Sequence, residues 1–243
     1  MSKLELKVID TWKLGSDAVK NPKKYNGFLG VSLTSPYYNN ETIELYLRSA
    51  NNYFAKIALL PVDIPYKYNY IVFEGLSEDQ ATQKALDLGN RMEHFFFVTL
   101  RKLNLENKTT ILRWQDIIKY KKCNYILTFL RTLLEKNSKF FNDVHLHIQE
   151  QTLVIEKRLL RAKQKLSDLE FEQQRKTLFR FLVDEIAIFI FVQEFLDYPI
   201  RLSAYPETDV TKNIYQASYN DLVSIWGLSG KIGHIRLLSE ETS

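Results

Sequence analysis

Two short aliphatic runs, Phe28 to Leu33 and Ile57 to Val62, enclose a stretch with helical patterning, and this order restricts the fold more than any other feature of the chain. Each run has the length of a buried strand and ends in turn-forming residues. Asn39 or Asn40 can cap a helix between them, from about Glu41 to Tyr53. Strand, helix and strand in this order predict two parallel neighbours joined by a right-handed crossover. The alternation continues downstream. Ser77 and Gln80 form a capping box that opens a long helix, with Ala81, Ala85, Leu88, Met92, Phe96, Thr99 and Leu103 at helical spacing. Thr109 to Trp114 reads as a short strand, Lys122 to Leu166 as two or more helices broken near Asn137, and Leu169 to Asp197 as one very long helix. Arg201 to Tyr205 reads as the last strand. Strands alternating with helices throughout predict an α/β fold.

Over 243 residues, only 8 Gly and 6 Pro are scattered and no low-complexity stretch intervenes, so residues 1–243 are expected to form a single catalytic-sized domain without linker or repeat. A chain that is 45% apolar and 26% charged is neither disordered nor fibrous. Cys123 is the single cysteine, which excludes a disulfide framework and a thiolate zinc site and fits a reducing compartment. Met1 to Lys13 has no apolar core of the signal-peptide kind, and the longest apolar run, Ile186 to Val192, falls far short of the roughly 20 residues of a membrane helix. The expectation is a soluble, cytoplasmic protein that does not engage a membrane.

Three features bear on chemistry. Ser32 stands at the carboxyl end of the first run, where open α/β sheets bind their ligands, and Gly30 before it would let a substrate approach the backbone. A serine that merely starts a turn before Pro36 explains the same residues. The nucleophile elbow of hydrolases needs Gly two residues after the serine, and Thr34 stands there. Glu185 lies at the centre of the apolar face of the long helix, within about 60° of Leu178, Phe181, Leu182, Ile188, Phe189, Val192 and Leu196. A carboxylate in that position costs several kcal/mol unless it is protonated or meets a cation. Both a structural salt bridge and a grip on a substrate ammonium satisfy it.

Basic residues are the third feature. The formal net charge is only +4, yet residues 84–131 hold ten Lys or Arg against four Asp or Glu, and residues 157–180 hold eight against three. Lys84, Arg91 and Lys102 fall within about 20° of one line on the Ser77 helix, Arg101 lies beside them, and Lys119, Lys121 and Lys122 follow. A solvated helix face and a phosphate-backbone footprint both account for the row. His145 and His147, two apart, splay across a helix and make no metal site, His94 and His234 are isolated, and neither a Walker loop nor Gly-x-Gly-x-x-Gly is present.

In order and spacing, Gly30-Val31-Ser32, Gly89-Asn90-Arg91, Glu185 and Tyr205-Pro206 resemble the tRNA-dependent cyclodipeptide synthases over about Gly27 to Asn220. That family is similar to the catalytic domain of class I aminoacyl-tRNA synthetases, without their ATP-binding signatures. The resemblance implies a Rossmann-like three-layer sandwich with a mainly parallel central sheet and helices on both faces. It also implies an aminoacyltransferase that takes two aminoacyl-tRNAs, with no ATP, metal or other cofactor, and forms a diketopiperazine through aminoacyl and dipeptidyl esters on Ser32. Glu185 would hold the substrate α-ammonium, and Tyr205 would relay a proton during cyclisation. Ser35, Tyr205 and Pro206 match the subgroup marked by a variable residue, Tyr and Pro. A Tyr is usual four residues before the glutamate, and Phe181 stands there; Tyr198 or another nearby phenol is the expected substitute. Phe28, Gly30, Ile188 and Ser203 would line the first aminoacyl pocket together with Phe181. A monomer is expected. A non-catalytic tRNA-binding module and a serine hydrolase are the competing classes, and the two amino acids joined are not legible.

Overall fold

The structure is a computed structural model that describes residues 5–33, 35, 38–136, 142–143, 146, 167–204 and 209–240. Among the described residues, six strands form one sheet: β1 (Glu5–Lys13), β2 (Tyr25–Val31), β3 (Phe54–Pro61), β4 (Thr109–Ile111), β5 (Ile200–Ser203) and β6 (Gly233–Glu240). Their order across the sheet is β1-β6-β5-β2-β3-β4, and every pairing is parallel except the antiparallel β1 with β6. The helices are α1 (Leu14–Lys20), α2 (Asn40–Tyr53), α3 (Lys67–Glu74), α4 (Glu78–Leu103), α5 (Trp114–Ile117), α6 (Lys121–Lys136), α7 (Asp168–Phe195) and α8 (Asp209–Trp226). This is the α/β sandwich that the alternation predicts.

Local chemistry explains the starts of two key helices. Asn39 caps α2, its side chain accepting from the Thr42 N–H at 2.9 Å while the Thr42 hydroxyl accepts from the Asn39 N–H at 3.0 Å. Ser77 and Gln80 close the same kind of box on α4. Three expectations need correction. β4 ends at Ile111, because Arg113 turns its side chain to Asp63 and Trp114 opens the short buried helix α5. The strand after α7 is not the last, since β6 follows and pairs alongside it. β1 was not expected either: as an edge strand with a neighbour on one side among the described residues, it mixes charged and apolar residues without a strong strand signature. The expected helix break near Asn137 lies outside the described residues.

Alternation along the strands divides the core between two faces. Leu29, Val31, Ile57, Leu59, Leu202 and Ile235 pack on the side of α1, α2 and α4. Phe28, Ala58, Leu60 and Val62 pack on the other side, with α5, α6, α7 and α8. Helix α7 crosses that second face from the carboxyl ends of the parallel strands to their amino ends. Its C-terminal part is fixed by Gln193, whose Nε2 donates to the carbonyls of Pro199 at 2.8 Å and Gly233 at 3.2 Å, at the starts of β5 and β6. The Phe189 ring, further up the helix, lies 5.7 Å from that of Phe28 on β2. The helix thereby carries its upstream residues toward the carboxyl edge of the sheet.

Candidate active site

Ser32 and Glu185 reach that edge from different elements. Ser32 follows β2 directly and continues the alternation of Phe28 and Gly30, which places it on the α7 side, about 7 Å beyond Gly30. Glu185 precedes Phe189 by one helical turn, about 6 Å further toward the same edge. Both are half-buried. The loop after Ser32 is folded tightly: the Ser32 carbonyl accepts from the Ser35 N–H at 3.4 Å, and the Ser35 carbonyl from the Tyr38 N–H at 3.1 Å. The buried Tyr38 hydroxyl in turn accepts from the Ala204 N–H, which ties this loop to the end of β5. Ser203, 2% exposed, stands at that end, paired in register with Arg236. Tyr205 and Pro206 lie outside the described residues.

Of the expected pocket residues, Phe28 and Ile188 are buried in the core on the α7 side, and Phe181 packs against that core half-buried. Gly30 lies against the Phe189 ring: a Cβ at this position would stand 3.2 Å from Cζ of Phe189, and the ring would have to give by a few tenths of an ångström to admit it. Tyr198, buried, stands just past the C-terminal end of α7, next to Pro199, rather than on the turn that carries Glu185. A phenol from α3, that of Tyr68, reaches the residue before the glutamate. Its hydroxyl donates to Oδ2 of Asp184 at 2.9 Å, while Arg131 of α6 approaches Oδ1 at 3.2 Å. Burial raises the Asp184 carboxyl above its ordinary range against the pull of Tyr68 and Arg131, and burial beside this carboxylate drives the Tyr68 phenol far upward. Tyr68 therefore stays protonated and acts as a donor.

A second charged cluster, which sequence reasoning missed, sits past β3 and β4. Asp63, fully buried, receives Nε of Arg113 at 2.8 Å on Oδ2, with Nη2 at 2.7 Å, and its Oδ1 accepts from the Ile64 N–H at 2.7 Å. Arg113 also donates to Oδ1 of Asn90 at 2.9 Å and to Glu93. Burial opposes the Arg113 charge, but the hydrogen bonds and charges of Asp63 and Glu93 outweigh it and hold its pKa above the ordinary value. Gly89 makes the cluster possible, because a Cβ there would stand 2.6 Å from Cβ of Asp63 and 2.7 Å from Nη2 of Arg113. The sequence signal was an acid just after one strand and an arginine just after the next. Only the register between them makes it readable.

Cys123 is buried, and burial pushes its thiol up to about 12, so it is no thiolate at neutral pH. His94 is exposed on α4, His145 and His147 lie outside the described residues, and His234 pairs in register with Trp12 and Arg201, where a cleft is lined by those three residues with Lys212 and Tyr215. Among the described residues no three His, Cys, Asp or Glu gather as a metal would require, and no helix is long and apolar enough to cross a membrane. Lys84, Arg91, Arg101, Lys102, Lys119, Lys121 and Lys122 are all exposed. Lys84 pairs with Glu74, Lys102 with Glu44, and Lys119 with Asp116 at 2.7 Å, so part of the row is locally neutralised.

The chain has the fold of solved cyclodipeptide synthases. It is similar to a cyclodipeptide synthase from Fluoribacter dumoffii (TM-score 0.79, 13% identity, 99% of this chain and 100% of that one covered). One from Bacillus thermoamylovorans gives 0.70 at 18% identity, over 95% of this chain and 96% of that one. A third, from Candidatus Glomeribacter gigasporarum and solved bound to Phe-tRNAPhe, gives 0.64 at 16% identity, over 90% of each chain. No family model and no curated protein matches the sequence.

Proposed function

We propose that this chain is a tRNA-dependent aminoacyltransferase that joins two aminoacyl groups into a cyclodipeptide. The observation that carries the reading is the convergence of Ser32 and Glu185 on one face of the carboxyl edge, in a fold shared with cyclodipeptide synthases. Ser32 attacks the ester carbonyl of the first aminoacyl-tRNA; the bond to the tRNA ribose breaks, and the proton passes to the departing ribose oxygen. Glu185 holds the α-ammonium, a use for a carboxylate placed on an apolar stripe. The α-ammonium gives up a proton to Glu185, and the freed amine attacks the ester carbonyl of a second aminoacyl-tRNA; the bond to that ribose breaks, its oxygen takes up the proton, and a dipeptide is left on Ser32. Its terminal amine closes on the Ser32 ester, releasing the diketopiperazine and restoring the hydroxyl. Tyr205 relays the proton in this step, and the match of Ser35, Tyr205 and Pro206 supports a reading within the variable-Tyr-Pro subgroup. The tRNA ester is already activated, so the scheme requires neither ATP nor a metal, and it suits a monomer working in the cytoplasm.

Incubation with charged tRNAs and no ATP tests this directly. The expected product has the mass of two residues joined as a diketopiperazine, and intact-mass spectrometry is expected to detect an aminoacyl adduct that Ser32→Ala abolishes. Free amino acids alone would refute the synthase. Retention of tRNA binding without any adduct would instead support a non-catalytic binding module.

A further inference from the structure

Helix α4 meets the body of the protein through successive contacts. Near its start, Ala81 and Ala85 pack with Tyr70 of α3, and near its end Phe96 and Leu100 enter the core on the α2 side of the sheet. Between them, the turn from Gly89 to Glu93 meets the buried Asp63 and Arg113. Arg113 divides its guanidinium across that junction. Nε and Nη2 lie 2.8 and 2.7 Å from Oδ2 of Asp63, while Nη1 reaches Oδ1 of Asn90 at 2.9 Å and the Glu93 carboxylate. Asp63 stands just past β3, where the Val62 N–H donates to the carbonyl of Val31 at 2.9 Å, and Val31 precedes Ser32. A short chain of directional bonds thus links the strand that leads into Ser32 to the middle of α4.

Such a contact differs from apolar packing in what it provides. A buried ion pair adds little net stability over apolar side chains of similar volume, whereas apolar packing is non-directional and lets a helix slide or rotate. A guanidinium supplies register, because its planar fork holds its partners at set angles. Arg91, exposed and adjacent to Asn90, is carried by the same turn. We infer that Arg113 is a positioning residue: it fixes α4, and with it the tRNA that α4 holds, at the distance from Ser32 at which the aminoacyl ester meets the hydroxyl. The inference rests on the acyl-enzyme reading and on phosphate contacts along α4, and adds to them the residue that couples the two. Affinity for tRNA lies in the exposed cations, and aim lies in this buried contact.

Two variants loosen the contact from opposite ends. Arg113→Lys keeps a cation for Asp63, but a single ammonium cannot also span to Asn90 and Glu93. Glu93→Ala leaves the pair with Asp63 in place and loosens the α4 side alone; removing an acid beside cations does not weaken phosphate binding by charge. Each variant is measured for tRNA affinity across salt and for transfer of the aminoacyl group from tRNA to the protein in a single turnover. The enzyme is in saturating excess, so that a partly folded preparation does not alter the rate constant. Both variants are expected to keep the wild-type affinity and salt slope. Transfer is expected to slow by about 10- to 100-fold in Arg113→Lys, the scale of an ångström-sized misplacement, and by a smaller factor in Glu93→Ala. A wild-type rate in Arg113→Lys would overturn the assignment. So would a drop in affinity in either variant, which would make the contact part of the binding surface, and so would slowing confined to Arg113→Lys, which would place the effect on the strand edge rather than on α4. Those results would leave the acyl-enzyme standing, whereas no transfer to the wild-type protein would overturn both.

Discussion

Two glycines show how differently the same residue type can act here. At Gly30 the missing side chain admits a neighbour's ring, and at Gly89 it admits a buried ion pair. Gly89→Ala drives a methyl group into Asp63 and Arg113, so the pair must separate or the helix must shift. Disrupting a buried pair of this kind costs about 3 to 5 kcal/mol. Urea titration should show that loss as a lower midpoint, and a change within about 0.5 kcal/mol would mean the helix moves freely. Ser32 and Glu185 stand out in the sequence because each breaks a local pattern: a polar residue at a strand end, a carboxylate on an apolar stripe. Asp63 and Arg113 do not, because their contact spans 50 residues. Asp184 was hidden by the residue beside it, and its partners Tyr68 and Arg131 come from two other helices.

At the level of elements, patterns that are dense in apolar residues or closed by side-chain caps were readable, as in β2, α2, β3, α4 and α7. Elements held mainly by side chains beyond their own ends were not. Helix α1 illustrates the second kind: its sequence gives little helical signal, but Asp17 within it accepts from Lys24 at 2.8 Å, from Asn21 at 2.7 Å and from Tyr25 at the start of β2. These bonds, that from Lys24 foremost, hold the Asp17 carboxyl at about 2. A carboxyl depressed in the folded state contributes stability above its unfolded value of about 3.9, and that contribution fades as pH falls through the folded value. Asp17→Asn is therefore expected to lower the urea midpoint at pH 5, with the gap to wild type narrowing toward pH 3. A gap of constant size across that range would show that the carboxylate charge contributes nothing.

Across the whole molecule, the modest excess of positive charge resolves into exposed cations on α4 and around the start of α6, but the structure thins the count. Arg113 is committed to Asp63, Arg131 to Asp184, and Lys84 and Lys102 to glutamates. Arg91 and Arg101 have no ion pair among the described residues and are the cations on α4 most available to phosphate. Their replacement by alanine should flatten the salt dependence of tRNA affinity by about 0.7 to 0.9 log units for each phosphate no longer neutralised, more than replacement of Lys84 or Lys102. Equal slopes for all four variants would remove α4 as the footprint. The outer edge of the sheet carries a further consequence. β1 has β6 as its sheet neighbour, with Glu5 opposite Glu240, and β6 also flanks β5. A chain emerging from the ribosome thus makes its first strand more than two hundred residues before the partner that seals it. Until then β1 is unpaired and β5 has an open side, a high-contact-order closure that leaves both exposed to self-association during synthesis.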